Sequence, residues 1–102
     1  MIYITTSTPE EVRILAKMFI VERLAACASV FGGATPYYRW EGAVASESES
    51  ILIAKTVISR RDEAITRIKE IHSYDTPCVV SSDIEEGSHD YLQWVQPEAE
   101  AS

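Results

Sequence analysis

The chain has 102 residues and a net charge of −7, with 46% hydrophobic and 25% charged residues. This length suits one small domain, and the composition is that of an ordinary globular protein. The negative charge argues against nucleic acid and against a membrane surface as partners, because phosphate groups would be repelled. No apolar run approaches the roughly 20 residues of a membrane span, and the first residues lack the features of a signal peptide. We therefore expect a cytoplasmic protein.

The two cysteines, Cys27 and Cys78, lie among apolar residues and outside any zinc-binding spacing. They are predicted to be buried thiols in a reducing compartment. Cys27 would act as a ligand or redox thiol only if it were partly exposed, so a buried and inert side chain is the preferred interpretation.

The first elements in chain order are a strand and an amphipathic helix. Residues 2–6 are short and rich in β-formers, which predicts a strand. Thr8 can cap a helix that starts at Pro9, and Glu11 would complete a capping box. Apolar residues then follow at helical spacing, which predicts one buried face and a helix that ends near Leu24.

A long extended segment comes next. Residues 25–40 are predicted to form an extended segment, with a bulge or bend at Gly32–Gly33. Glu41–Gly42 is predicted to start a turn, and the polar residues 46–50 are predicted to form a loop.

Residues 51–58 are the most strand-like run in the chain. Ile51 and Ile53 lie on one face of this strand because side chains alternate between faces. Lys55 falls on the same face, and a lysine on an otherwise apolar strand face is unusual.

The last third of the chain predicts a helix, a strand and a short helix. Ser59 and Asp62 suggest a second capping box for a helix that ends near His72. Residues 78–84 predict the last full strand, and Ser88 can cap a short C-terminal helix.

The resulting order, βαββαβ with an added short C-terminal helix, is typical of an α+β ferredoxin-like fold. Its sheet is antiparallel, with both long helices on one face. Residues 1–96 are assigned to this domain and residues 97–102 to a polar tail. The far face would be uncovered although it carries apolar side chains, and the second and third strands are longer than the domain requires. Both features indicate assembly of several chains through the open sheet.

His72 is the leading candidate for chemistry. It is predicted to lie at the C-terminus of the second long helix, where the helix dipole favours a cation, and Tyr74 and Asp75 follow it. It could serve as a metal ligand or a general base. The alternative is that His72 caps the helix and residues 75–77 form the turn.

Lys55 and Glu41 form a second candidate pair, since they would lie on adjacent strands if residues 42–50 connect those strands. Lys55 could then bind an anionic ligand beside Trp40, or the two charges could form an ion pair at the sheet margin. Four aromatic side chains could line a cleft or fill a subunit interface: Tyr37, Tyr38, Trp40 and Trp94.

Other charged segments give weaker signals. Residues 83–90 form an acidic stretch with one histidine. The stretch lacks the spacing of an EF-hand, and its charged side chains are predicted to be exposed. Glu47 and Glu49 lie in a serine-rich loop and are not expected to act as an acid/base pair. The sequence has no nucleophile elbow, phosphate loop, Rossmann glycine pattern or zinc motif, so we expect a protein that is not an enzyme.

Six short segments together resemble the CutA1 family of divalent-cation tolerance proteins, and the resemblance runs from Ile2 to about Trp94. The segments are Thr5-Thr6, Glu22 to Cys27, Tyr38 to Gly42, Lys55-Thr56, His72 to Pro77 and Tyr91 to Trp94. The resemblance implies a tight homotrimer of ferredoxin-like subunits packed sheet against sheet, similar in fold to the PII signalling proteins. It also implies a link to divalent-cation tolerance, particularly of copper.

The candidate sites are a ligand cleft between subunits and a metal position. The cleft comprises Cys27, Tyr38, Trp40, Glu41, Lys55, Tyr74 and Trp94. In some family members copper is bound by a cysteine in the first strand and a His-His pair at the end of the second helix. Residues 4–5 and 71–72 correspond here, and only His72 matches. A divalent transition metal such as copper would therefore be weakly held, unless neighbouring chains supply further ligands.

Three functions stay open. The first is a cytoplasmic homotrimeric module that binds a metal or small ligand, or signals, through an inter-subunit cleft. The second is a small enzyme that uses His72 and Lys55 in that cleft, which would place His72 in a deep pocket. The third is a trimeric scaffold that presents its C-terminal helix, with an exposed apolar surface at residues 91–95.

Overall fold

A computed structural model describes residues 1–74 and 77–100 of the chain. Asp75 and Thr76, which were assigned above to a turn after His72, lie outside the described residues. The elements are β1 (Ile2–Thr6), α1 (Pro9–Val21), β2 (Cys27–Ala34), β3 (Tyr37–Trp40), β4 (Ala43–Ser46), β5 (Glu49–Lys55), α2 (Ile58–Ile71), β6 (Val79–Ser81) and α3 (His89–Glu98).

The main sheet has four strands in the order β2-β5-β1-β6. Each neighbouring pair is antiparallel, with Ile4 opposite Leu52 in the central pair. Together with the two long helices, this order gives the ferredoxin-like arrangement that the sequence predicts. The bulge predicted at Gly32–Gly33 is confirmed, because the register of β2 against β5 shifts between Phe31 and Ala34.

The core lies between one face of this sheet and the two long helices. Along β5 the side chains of Ser50, Leu52 and Ala54 are buried, and the residues between them are only partly buried. The buried side chains of β1 and β5 form one cluster with buried residues of both helices, namely Val12, Leu15, Phe19, Ala64 and Ile68. Both helices therefore cover the same face of the sheet, as expected.

The opposite face, called here the open face, also carries apolar side chains. Alternation places Ile51 and Ile53 on it, and the register adds Tyr3 and Phe31 from the flanking strands. Phe31 is 51% exposed and Val80, which pairs with Tyr3, is 54% exposed. The expectation of an uncovered apolar face is thus met in the single chain.

Strands β3 and β4 form a separate hairpin whose tip is Glu41–Gly42. Both tip residues have positive φ, 49° and 82°, as a two-residue type I′ turn requires. The predicted turn is confirmed, but most of residues 46–50 belong to strands β4 and β5 and only residues 47 and 48 connect them. Alternation of small and apolar residues in β4 is a weak signal, which explains why β4 was not predicted as a strand.

The hairpin also overturns the predicted pairing of Glu41 with Lys55. The two residues do not lie on adjacent strands, because β4 intervenes in the chain and pairs with β3. Lys55 lies on β5 opposite Cys27, whereas Glu41 lies at the hairpin tip.

Neither of the two predicted capping boxes forms at these helix starts. Thr8 caps α1 by accepting a hydrogen bond from Glu11 N at 3.1 Å, but the Glu11 carboxylate accepts one from Ser73 N at 3.0 Å instead of closing a capping box. The predicted box of Ser59 and Asp62 is wrong, because α2 starts at Ile58 after a cap without a side-chain hydrogen bond.

At the other end of the chain, α3 runs to Glu98 and Ala99 is fully buried. Helix α3 therefore continues two residues into the segment 97–102 that was predicted to be a polar tail. Within residues 1–74 and 77–100, no helix has the length and apolar character needed to cross a membrane.

Helix α1 ends in a Schellman motif with Arg23 in the left-handed position at φ 55°. Leu24 N donates to Phe19 O at 2.9 Å and Arg23 N donates to Ile20 O at 3.2 Å, which are the two hydrogen bonds of that motif. The same turn binds α2, since Arg67 forms a two-pronged ion pair with Glu22 at 3.0 and 3.2 Å. This turn thus joins the ends of two helices.

The hairpin tip gives a direct test of backbone strain. We expect Gly42→Ala to lower the free energy of unfolding by about 1 kcal/mol, because an L-residue at positive φ is disfavoured. Gly32→Ala is the matched control: it too has open space around the added Cβ, without a positive φ. Denaturant unfolding at equal protein concentration measures both variants, and equal effects would contradict the strain argument.

Candidate functional site

His72 is the C-cap residue of α2 and is only 9% exposed. Its Nε2 lies 2.7 Å from the carbonyl oxygen of Thr5, and its Nδ1 accepts a hydrogen bond from Tyr74 N at 3.0 Å. A carbonyl oxygen can only accept and a backbone N–H can only donate. The ring is therefore neutral and carries its proton on Nε2.

These contacts make His72 a fixed link between β1 and the segment after α2. Both ring nitrogens are engaged: Nε2–H donates to Thr5 O, and the one available lone pair, on Nδ1, accepts from Tyr74 N. The ring also packs against Tyr74, with centroids 4.8 Å apart. This arrangement matches the capping alternative that the sequence left open and orients Tyr74.

Tyr74 forms one wall of an open cavity of about 580 Å³, called here the aromatic pocket. The pocket lies where the hairpin meets one end of the open face. Its lining consists of Thr5, Tyr38, Trp40, Ala45, Glu47, Glu49, Tyr74 and Cys78. Three aromatic rings and two carboxylates thus share one concave surface of a size that suits a small ligand.

The pocket has a negative electrostatic character. Burial raises the pKa of the Tyr74 phenol above its usual value, and the nearby carboxylate of Glu49 raises that pKa further. No described salt bridge includes Glu47 or Glu49. The two carboxylates therefore keep their charge available to whatever enters the pocket.

A second group of candidate residues lies at the other end of β5 and is called here the lysine end: Cys27, Lys55, Tyr91 and Trp94. Cys27 is directly opposite Lys55 in the sheet and is a free, partly exposed thiol. Cys78 is exposed, so the prediction that both thiols are buried is wrong for the single chain. The Lys55 ammonium lies 5.6 Å from the centroid of the Tyr91 ring, within range of a cation–π contact. Tyr91 in turn packs against Trp94 at 5.8 Å.

Within one chain, the seven predicted cleft residues therefore do not lie together. They are distributed over the aromatic pocket, the lysine end and the hairpin tip. Tyr38, Trp40 and Tyr74 line the aromatic pocket. Cys27, Lys55 and Trp94 belong to the lysine end, and Glu41 lies at the hairpin tip. Glu49 and Lys55 are the two ends of β5, which corresponds to about 20 Å along the strand.

His72 and Lys55 are likewise separated. His72 contacts Thr5, which pairs with Ile51, and Ile51 and Lys55 are about 14 Å apart along β5. The pair needed for the enzyme hypothesis is not brought together within one chain.

A second cavity of about 610 Å³ lies between the start of α2 and α3. Lys55 and Arg61 line it together with Asp83 and Glu85, so its charges are mixed. It contains one of the sequence-predicted site residues, whereas the aromatic pocket contains three. The aromatic pocket is therefore the better candidate site.

Comparison with known proteins identifies the family. The family model described as CutA1 divalent ion tolerance protein matches residues 1–98. The chain belongs to the CutA1 family. A divalent-cation tolerance protein CutA of Thermus thermophilus is 37% identical over 95 residues, which cover 93% of this chain and 92% of that protein.

Two plant relatives extend the comparison. A chloroplastic CutA protein of Arabidopsis thaliana is 37% identical over 93% of this chain, which spans only 52% of that longer protein. The crystal structure of CutA1 from Oryza sativa superposes with a TM-score of 0.95 at 36% identity, covering 99% of this chain and 93% of that one. The CutA1 resemblance and the α+β fold are thus confirmed.

The metal role predicted for His72 meets two obstacles in the described residues. Among residues 1–74 and 77–100, no three histidine, cysteine or acidic side chains are placed to hold a metal ion. His72 has both ring nitrogens hydrogen-bonded. A metal could bind its imidazole only by replacing one of these two bonds.

Sequence reasoning missed five residues of the pocket: Thr5, Ala45, Glu47, Glu49 and Cys78. Glu47 and Glu49 were discounted because residues 46–50 were taken for a free loop. A signal was present, since Glu49 is two residues before Ile51 and so shares its strand face. Extending the strand by two residues would have placed this carboxylate at the sheet end.

The structural role of His72 can be tested by substitution. We expect His72→Ala to lower the free energy of unfolding by about 1–3 kcal/mol, because the buried groups on Thr5 and Tyr74 would lose their partners. His89→Ala is the control, since His89 is exposed at the start of α3. Thermal unfolding measures both, and an unchanged midpoint for His72→Ala would refute this role.

Proposed function

We propose that this CutA1 protein is a homotrimeric divalent-cation tolerance module that binds a small ligand in clefts between its subunits. The observation that carries the proposal is the open face with the aromatic pocket at its end. An apolar sheet face at the surface of a small domain is a typical subunit interface.

Assembly also accounts for the division of the candidate residues. A cyclic trimer uses a heterologous contact, in which one region of a subunit meets a different region of its neighbour. The lysine end and the aromatic pocket are two such regions on the same subunit. A cleft between subunits can therefore combine residues that lie about 20 Å apart in one chain.

Phe31 tests this assembly because it is 51% exposed on the open face and lies outside the core. We expect the wild-type protein to have three times the 11.4 kDa chain mass in light scattering. Phe31→Lys should lower that mass, since a buried interface would then hold an unpaired charge.

The control variant is Ile14→Lys, because Ile14 is 65% exposed on α1, away from the open face. It should keep the wild-type mass. A folded wild-type monomer, or a trimer that tolerates Phe31→Lys, would refute assembly through this face.

For the metal, we propose weak binding at His72 through displacement of one of its hydrogen bonds. A single imidazole without neighbouring ligands holds Cu(II) poorly.

Titration calorimetry with Cu(II) should thus give weak binding at pH 7 that His72→Gln reduces and His89→Gln does not. Tight binding that survives His72→Gln would place the metal elsewhere. Equal loss in both variants would remove His72 from the proposal.

A scaffold is the second candidate function, and the exposure of α3 favours it. Tyr91 is 37% and Trp94 is 47% exposed, so this helix presents aromatic surface in the single chain. Iodide quenching of Trp94 fluorescence in the assembled protein distinguishes the scaffold from the ligand-binding module. Fluorescence that iodide quenches indicates an exposed helix, whereas fluorescence that is protected from iodide places Trp94 in a cleft or interface. A Trp40→Phe background isolates the Trp94 signal.

We propose a cytoplasmic location for this chain. The free thiols of Cys27 and Cys78 support it, since a reducing compartment maintains thiols. Fractionation of source cells with an antibody tests the proposal, and recovery in another compartment would overturn it.

A further inference from the structure

The aromatic pocket combines two kinds of group that favour the same class of ligand. Its rings are those of Tyr38, Trp40 and Tyr74, and its charged side chains are the carboxylates of Glu47 and Glu49. None of its lining side chains is cationic. Aromatic faces carry partial negative charge, so rings and carboxylates both attract cations.

The position of the carboxylates follows from the strand pattern. Glu49 is the first residue of β5, pairs with Ala34, and is only partly exposed. Glu47 precedes it by two residues and lines the same cavity. Two carboxylates without described cationic partners create a local negative potential that would be relieved by a bound cation.

The rings define what kind of cation fits. An organic ammonium ion has diffuse charge on an apolar surface, and it can contact aromatic faces while a carboxylate balances its charge. A divalent metal ion instead needs several ligand atoms converging at short distance, and the described residues contain no cluster of three such side chains. The cavity of about 580 Å³ admits a small organic molecule.

We propose that the aromatic pocket binds a small organic ammonium ion. The three rings contact its alkyl groups, and Glu47 and Glu49 neutralise its charge. This inference rests on the proposed ligand-binding function and names the ligand class of that same cleft.

The test uses tetramethylammonium as the probe and tert-butanol as a neutral molecule of similar shape. Binding to the full chain is followed by NMR, using the indole N–H signal of Trp40, at constant ionic strength because surface charges are screened by salt. We expect saturable binding of tetramethylammonium with about millimolar affinity and no saturable binding of tert-butanol.

Two double variants distinguish the effect of the pocket carboxylates on binding from the effect of the protein's net charge. Glu47→Gln with Glu49→Gln should weaken binding at least about tenfold, since both carboxylates of the site are lost. Glu10→Gln with Glu98→Gln removes the same charge from exposed residues outside the pocket and should leave affinity unchanged. Trp40→Leu, followed by calorimetry, should also weaken binding although it keeps an apolar side chain.

Three results would overturn the proposal: no binding to the wild type, equal binding of tert-butanol, or equal affinity in the two double variants. Light scattering on the same samples tests the trimer separately from the ligand class. A trimer that ignores tetramethylammonium refutes the ligand class alone. A monomer that binds it refutes the inter-subunit cleft and leaves the ligand class standing.

Discussion

The strict alternation of side chains along β5 is the constraint on which the other features of this structure depend. Ser50, Leu52 and Ala54 are buried under the helices, so Ile51 and Ile53 must point the other way. A shift of one residue would exchange the two faces and bury Lys55 and Glu49 in the core. The same alternation therefore fixes the core, creates the open face and places opposite charges at its two ends.

His72 illustrates how a functional-looking residue can serve the fold. Its two hydrogen bonds connect the carbonyl of Thr5 in β1 to the backbone of Tyr74. Glu11 adds a bond from α1 to Ser73 in the same segment. Three separate elements thus hold the residues after α2, which positions the Tyr74 ring as a wall of the pocket. Removing the imidazole would disturb ligand binding even if no ligand touched it.

The sequence allowed the main architecture to be predicted because periodicity and caps are local signals. Thr8, Pro9 and Ser88 identify helix starts that the structure confirms. Strand β4 was not predicted because Ala43–Ser46 is short and weakly apolar, although the turn at Glu41–Gly42 that leads into it was predicted. The pocket was only half predicted, since its carboxylates depend on where β5 begins. Such a boundary is set by tertiary pairing with β2, and the local pattern shows only that Glu49 would share a strand face with Ile51.

The two ends of the open face suggest why assembly and ligand binding belong together in this protein. Lys55 is itself an ammonium ion, and in its own chain it lies over the Tyr91 ring. In the proposed head-to-tail trimer the lysine end of one subunit approaches the negative pocket of the next, which is electrostatically favourable. A free ammonium ligand and the neighbour's lysine end then compete for interaction with the same two carboxylates.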